Sequence, residues 1–363
     1  MALIVLGAGA TRGASFVTAG DDRPLCLPPL DADFFTQLQR IANDKHRETV
    51  DQLIAAAVEL FGHNFDVTLE TMFTTIEHQI RIVEKTTGEK WGESLDDLNG
   101  KRTNLLQGIA AVLEESLTYG PQGGTGHQHR DCAFHRKLVG QLSPSDVILS
   151  FNYDCLIDHT LKQHGEGRWN ARYGYCLPLR RGAGASLPGE GAWNPNRPPA
   201  RKQSIRLLKL HGSLHFKRET TEYFSLKQRP YTKQTDGNLR FEIIPPEWNK
   251  RFDEGVFGRI WAAAAQEIHR ATTIVIIGYS FPPNDLHTSS LFRVSVGKAR
   301  LDNVVLVNPD RAARHRAMDV LRRGMRDDTR VMVFDSFADF SAADHTHWDR
   351  QPSNTRLSRR PPR

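Results

Sequence analysis

The chain has 363 residues, 39% of them apolar and 25% charged, with a formal net charge of +6. This is the balance of an ordinary globular protein with a substantial core, and the absence of any run of about 18 apolar residues argues against a membrane-spanning helix. Four cysteines, Cys26, Cys132, Cys155 and Cys176, form no CxxC pair, which predicts reduced thiols in a cytoplasmic protein rather than a disulfide framework.

The chain opens with "ALIVLGAGA". Its apolar run stops at a glycine after five residues and no basic segment precedes it, so it reads as a first β-strand and a Gly-rich turn, not a secretory signal. From Asp33 to about Leu142 the apolar residues fall three and four apart in "DADFFTQLQRIAND", "ETVDQLIAAAVELFG", "TLETMFTTIEHQIRIVEK", "RTNLLQGIAAVLEESLTYG" and "CAFHRKLVGQL", the spacing of helices. Polar and Gly-rich loops separate them.

Beyond that stretch strands and helices alternate. "DVILSF" is a strand, "CLIDHTLKQHG" a helix and "IRLLKLHGSLHF" a strand. A polar hairpin-like stretch to residue 244 follows, then the helix "FGRIWAAAAQEIHRAT" and the strand "TIVIIGYSF". "LHTSSLFRVSVGKA" is helical, "NVVLVNP" a strand, "RAARHRAMDVLRRGM" a basic helix and "RVMVFDSF" a last strand. Uninterrupted apolar strands between helices point to a parallel sheet covered on both faces. The expected fold is α/β, a Rossmann-like doubly wound parallel sheet with an inserted helical module. Residues 1–32 and 144–345 would form the sheet domain, 33–143 the helical insert and 346–363 a basic, disordered tail. That tail, in "QPSNTRLSRRPPR", holds four arginines and no acid.

In such sheets ligands bind beyond the carboxyl ends of the strands. The five strand ends before the last carry Gly7, Gly9 and Gly13; Asn152, Tyr153 and Asp154; His211, Gly212 and Ser213; Gly278, Ser280 and Asp285; and Asn308. An amide and a carboxylate at the end of a core strand must find partners or face a cavity. "GAGATRGA" lets backbone approach a phosphate at a helix N-terminus, although its third glycine comes one position late and no acid follows a second strand about 20 residues on. A tight turn with no ligand is an equal reading. His211, followed by a glycine that makes room for close approach, suits a general base; a structural histidine is the plainer alternative. Ser280 in "GYSFPPND" sits where a hydrolase nucleophile elbow would place its serine, but a proline follows where the elbow needs a glycine. A hydroxyl that binds phosphate or ribose suits it better.

Two further clusters have plain readings beside sharper ones. "HQHRDCAFH" gathers His127, His129, Cys132 and His135, a set of zinc-ligand types at a spacing that matches no common site; a polar loop entering a helix is favoured. From Arg168 to Arg206, basic residues Arg172, Arg180, Arg181, Arg197, Arg201 and Lys202 interleave with Trp169, Tyr173, Tyr175 and Trp193. That is a composition compatible with nucleic-acid contact, or with a solvated loop.

Together "GAGA", "SFNYD", "KLHGSL", "GYSFPPND" and "VNP" resemble, in this order, the sirtuin-like superfamily, and look closest to its bacterial anti-phage branch, whose members destroy NAD+. The resemblance spans residues 7 to about 309. It implies a Rossmann-like domain that takes NAD+ as substrate, with Gly7, Ala8, Gly9 and Ala10 at the pyrophosphate and Arg12 as a phosphate contact. Asn152 would order the nicotinamide ribose or the attacking water, Asp154 would hold the carboxamide, and His211 would act as base through the ribose hydroxyls. Gly278, Ser280 and Asn308 would meet the adenosine. The four-cysteine zinc ribbon and "GIPDFR"-like loop of deacylase sirtuins are absent, and "TRGASFVTAGDDRP" stands in the loop's place. The implied activity is therefore NAD+ hydrolysis to nicotinamide and ADP-ribose, an antiviral effector without a metal. A homo-oligomer or a partner such as a translocase ATPase or an Argonaute-like protein would control it. A protein deacylase and a non-catalytic nucleotide sensor are the alternatives.

Overall fold

The computed structural model describes residues 1–20, 23–86, 94–120, 128–180, 185–199, 203–220, 222–231, 242–244 and 255–343. The basic tail, His127, Arg181, Arg201 and Lys202 lie outside the described residues.

Six strands form one parallel sheet: β1 (Ala2–Leu6), β2 (Val147–Ser150), β3 (Arg206–Lys209), β4 (Thr273–Ile277), β5 (Asn303–Val307) and β6 (Arg330–Phe334). Their spatial order is β3-β2-β1-β4-β5-β6. The chain thus winds outward one way from β1 and returns to wind the other way from β4, so the topological switch point lies between these two strands. The α/β Rossmann-like expectation holds. Central β1 and β4 bury every residue, as their unbroken apolar runs require when helices cover both faces. Edge strand β6 instead leaves Val331 and Val333 substantially exposed.

The main helices in chain order are α1 (Ala8–Arg12), α2 (Arg47–Phe61), α3 (Leu69–Lys85), α4 (Leu95–Leu117), α5 (Ala133–Gln141), α6 (Leu156–His164), α7 (Gly255–Arg270), α8 (Leu286–Ser295), α9 (Arg311–Leu321) and α10 (Phe337–Ala342), with short helical segments at Ser15–Thr18, Phe34–Leu38 and Ala171–Gly174 between them. Side-chain caps start several of them: Thr68 accepts from Thr71 N–H, Ser94 from Asp97 N–H, and Asp285 from Thr288 N–H, each satisfying a donor the helix cannot. None of the helices among the described residues is long and apolar enough to cross a membrane.

Three cores are found among the described residues. The largest surrounds the sheet; a second packs Phe34, Leu53, Phe73, Ile76, Leu105 and Ile109 within the inserted helices; a small third gathers Ala14, Val17, Leu27, Cys132 and Leu156. The insert's core closes over one end of the sheet domain, where Leu214, Tyr231 and Ile243 are buried in it. Helix α5 falls inside the stretch assigned to the insert, yet its Leu138 and Val139 pack in the sheet core.

Local differences from the sequence expectations have local causes. "DADFFTQLQRIAND" is α-helical only over Phe34–Leu38. "IRLLKLHGSLHF" stops being one strand after Lys209, and Gly212 takes φ +79, a conformation glycine adopts without a steric penalty. From there Gly212–Ser213 pairs with Glu242–Ile243, and Phe216–Arg218 with Phe224–Leu226. "RVMVFDSF" ends as a strand at Phe334 because Ser336 caps α10.

Candidate functional site

The register of the sheet aligns the strand ends. Leu6 is the partner of both Ser150 and Ile277, and Ser150 is the partner of Lys209. Asn152 and His211 each lie two residues past a paired position on neighbouring strands, so they occupy the same level of the rim. Backbone contacts extend the pairing there: Phe151 N–H donates to Leu6 O and Leu210 N–H to Ser150 O, both at 3.0 Å.

The Gly-rich turn is built around a backbone-to-backbone approach. Gly7 N–H donates to Ile277 O and Gly9 N–H to Gly278 O, both at 3.0 Å, and Ala10 N–H returns to Gly7 O at 2.9 Å. A Cβ on Gly7 would lie 2.5 Å from Tyr279 Cα. These glycines are explained by the β4 turn pressed against them. Of the four amides from Gly7 to Ala10, only the exposed Ala8 N–H makes no hydrogen bond among the described residues. Arg12 points elsewhere. It donates to Pro28 O at 2.8 Å and pairs with Asp33, and burial, with Arg23 and Arg40 nearby, lowers its pKa.

Asn152, Thr11 and Asp154 form one chain of hydrogen bonds. Asn152 Nδ2 donates to Gly7 O and to Thr11 Oγ1, both at 3.0 Å. Thr11 Oγ1 donates in turn to Asp154 Oδ2 at 2.8 Å. Asp154 Oδ1 accepts Leu156 N–H at 2.9 Å, so this carboxylate also starts helix α6. The amide thus ties β2 to the Gly-rich turn, and its Oδ1 makes no hydrogen bond among the described residues.

His211 is buried among rings. Phe151 meets it edge-on at 5.1 Å, Tyr153 lies at 6.3 Å and Trp261 at 6.5 Å. Phe151 also stacks on Tyr279 at 4.3 Å, which joins the ends of β2, β3 and β4 in one aromatic row. Tyr279 donates to Asp285 Oδ2 at 2.6 Å, and Thr288 Oγ1 donates to the same oxygen at 2.9 Å. Asp285 is thus a helix cap and a tyrosine anchor. Ser280 gives its carbonyl to Arg316 at 2.9 Å. It precedes the start of α8 at Leu286 by six residues, and Phe281 takes φ +47 between them; a nucleophile elbow would run straight into its helix. Asn308 donates to Tyr279 O at 3.4 Å and accepts Asp310 N–H at 3.0 Å, joining the β4 and β5 loops.

Sequence reasoning missed a fully buried polar set below this rim. Lys209 Nζ donates to Asp154 O at 2.6 Å and to Asp158 Oδ2 at 3.2 Å. Asp158 Oδ1 accepts Tyr175 O–H at 2.7 Å, and His215 Nε2 lies 3.1 Å from that hydroxyl. His215 Nδ1 is 2.8 Å from Ser213 Oγ and 3.2 Å from Cys155 Sγ. The available signal was a lysine set within the apolar run "IRLLKL", which must be paired when buried.

The remaining clusters resolve differently. Cys132 Sγ and His135 Nδ1 are 3.1 Å apart, while His129 turns to the Tyr231 hydroxyl at 3.2 Å and stacks on His159. Among the described residues no group of three or more His, Cys, Asp or Glu side chains gathers to hold a metal ion. In the basic segment, Trp169, Tyr175 and Trp193 are buried core residues, so they offer no face for a base to stack on. Arg172 pairs with Glu190, and Arg168 donates to the carbonyls of Val139, Gly140, Leu142 and His164.

No family model matches the chain, and no curated protein matches it.

Proposed function

We propose that the chain binds NAD+ across the crevice at the β1/β4 switch point and hydrolyses its nicotinamide–ribose bond. The observation that carries this reading is the sheet register, which brings Asn152 and His211, two residues beyond the Ser150–Lys209 pair, to one level, with Asn152 against the Gly-rich turn. The sirtuin-like motif order supports the choice of nucleotide. Water would attack C1′ of the ribose as the C1′–N bond breaks. Nicotinamide leaves as a neutral molecule, and the water's proton passes to His211. The leaving group is already cationic, so positioning and charge stabilisation of the oxocarbenium-like ribose supply most of the acceleration.

Within this reading Asn152 presents its Oδ1 to the ribose or water, with Nδ2 held by Gly7 O and Thr11. Ala8 N–H is the amide of the turn left for the pyrophosphate. Asp154 acts chiefly through Thr11, which both its neighbours hold in place. The activity would deplete NAD+ in anti-phage defence under the control of a partner or of oligomerisation, a role that rests on the motif resemblance alone.

The test is NAD+ consumption by the full chain with products separated by chromatography, beside Asn152→Ala and His211→Ala. Release of nicotinamide and ADP-ribose without any acyl peptide, lost in both variants, is the expected result. Turnover only with an acetylated peptide would replace hydrolysis by deacylation. The commitment of Asn152 Nδ2 to protein partners favours a second reading, a nucleotide sensor. NAD+ that binds and stays intact would establish it, and no binding would sink both.

A further inference from the structure

The buried polar set below the rim closes into a circuit with a defined direction. A carboxylate only accepts, so Tyr175 O–H donates to Asp158 Oδ1. The phenol oxygen is then the acceptor for His215 Nε2–H at 3.1 Å. Burial, with Lys209 and Lys227 nearby, holds the His215 pKa well below its ordinary range, so its Nδ1 carries no proton and accepts, with Ser213 Oγ at 2.8 Å. The hydrogen bonds therefore run Ser213 to His215 to Tyr175 to Asp158, and Lys209 donates to Asp158 from the other side. Burial opposes the Lys209 charge, but Asp158, Cys155 and Asp154 outweigh it and raise its pKa.

Both ends of the circuit meet the turn that carries Asn152. Lys209 Nζ reaches Asp154 O at 2.6 Å. Ser213 has one proton, given to His215, so its 3.2 Å approach to Tyr153 O is a contact rather than a second hydrogen bond; the segment is held there by Leu214 N–H, which donates to Tyr153 O at 3.0 Å. Lys209 and Ser213 flank His211 by two residues on either side. The circuit thus clamps the segment bearing His211 to the turn bearing Asn152, and it is sealed from solvent: Lys209, Asp158, Ser213 and His215 are each 0% exposed. A buried network of this kind is costly unless its members are paired, and here each one has a hydrogen-bond partner.

We infer that Lys209, Asp158, Tyr175, His215 and Ser213 are positioning residues that set the spacing of Asn152 and His211. The inference rests on the proposed site but not on its turning over. Tyr175→Phe keeps the ring and removes the single hydroxyl that links the two halves; Ser213→Ala opens the circuit at its far end and serves if the first variant does not fold. With the full chain, kcat should fall at least about tenfold while KM stays within about threefold, because misplacing catalytic groups costs rate more than ground-state binding. The second readout is the Asn152 side-chain amide and His211 imidazole resonances, which should both move, while those of Asn99 and His63 in the insert stay put. If kcat and both site resonances match wild type, the inference is overturned. If wild type itself does not turn over, the hydrolase reading falls, and the resonances alone decide: shifted at both residues they uphold the positioning role, unshifted they end it.

Discussion

Gly9 and Gly278 meet backbone to backbone. Gly9 N–H donates to Gly278 O at 3.0 Å, and a Cβ on Gly9 would stand 2.8 Å from Gly278 Cα. Gly278 takes φ +64, and a Cβ there would lie 2.1 Å from Ala10 N. The two turns that flank the switch point are thus each other's reason for being glycine.

Gly278→Ala should accordingly cost at least about 2 kcal/mol, since left-handed strain and overpacking act together. Gly167→Ala is the control. Gly167 takes φ +68, but a Cβ there would meet nothing within 4 Å, so only strain of about 1 kcal/mol remains. Urea denaturation of the two variants would measure the difference; equal losses would contradict the close approach.

Thr11 is the middle of the Asn152–Thr11–Asp154 chain, accepting from one and donating to the other. Thr11→Val keeps the shape and strands a buried amide donor and a carboxylate, a loss of about 1–3 kcal/mol. Thr11→Ser retains the hydroxyl and should recover most of it. Thermal unfolding of both variants is the check.

Arg168 gathers carbonyls at the carboxyl end of α5, and also His164 O at the end of α6, at 2.7 to 3.1 Å. A cation there satisfies acceptors the helices leave open and complements their dipoles. Arg168→Ala should destabilise by about 2–4 kcal/mol. Arg168→Lys should recover less than half, because an ammonium cannot span both helix ends. Denaturant midpoints would show it.

The Cys132–His135 contact predicts a pH dependence. Burial alone would raise the Cys132 pKa, but His135 beside it and the Ser15 N–H at 3.3 Å bring it down to about 6 from 9.0. Between these values the native thiol holds fewer protons than the unfolded one, so stability rises with pH across that window and is lost as pH falls through about 6. Cys132→Ser should flatten that slope and remove the ultraviolet absorbance of the thiolate. A wild-type titration midpoint near 9 would refute it.

Much of the fold is legible in the chain. Five-residue apolar runs such as Ala2–Leu6 and Thr273–Ile277 announce strands buried on both faces, and residues such as Asn152 and His211 stand at strand ends because polar groups interrupt those runs. Periodicity is a local property, and these are local facts. It does not carry which strands become neighbours, so only the tertiary structure places β1 beside β4 and makes the Gly9–Gly278 contact. For the same reason Trp169, Tyr175 and Trp193, which look like an aromatic binding segment among arginines, prove to be core. Lys209 is the clearest case: its charge in an apolar strand is visible in the sequence, but the partner that makes its burial tolerable, Asp158 on α6, is selected only when β2, α6 and β3 pack together.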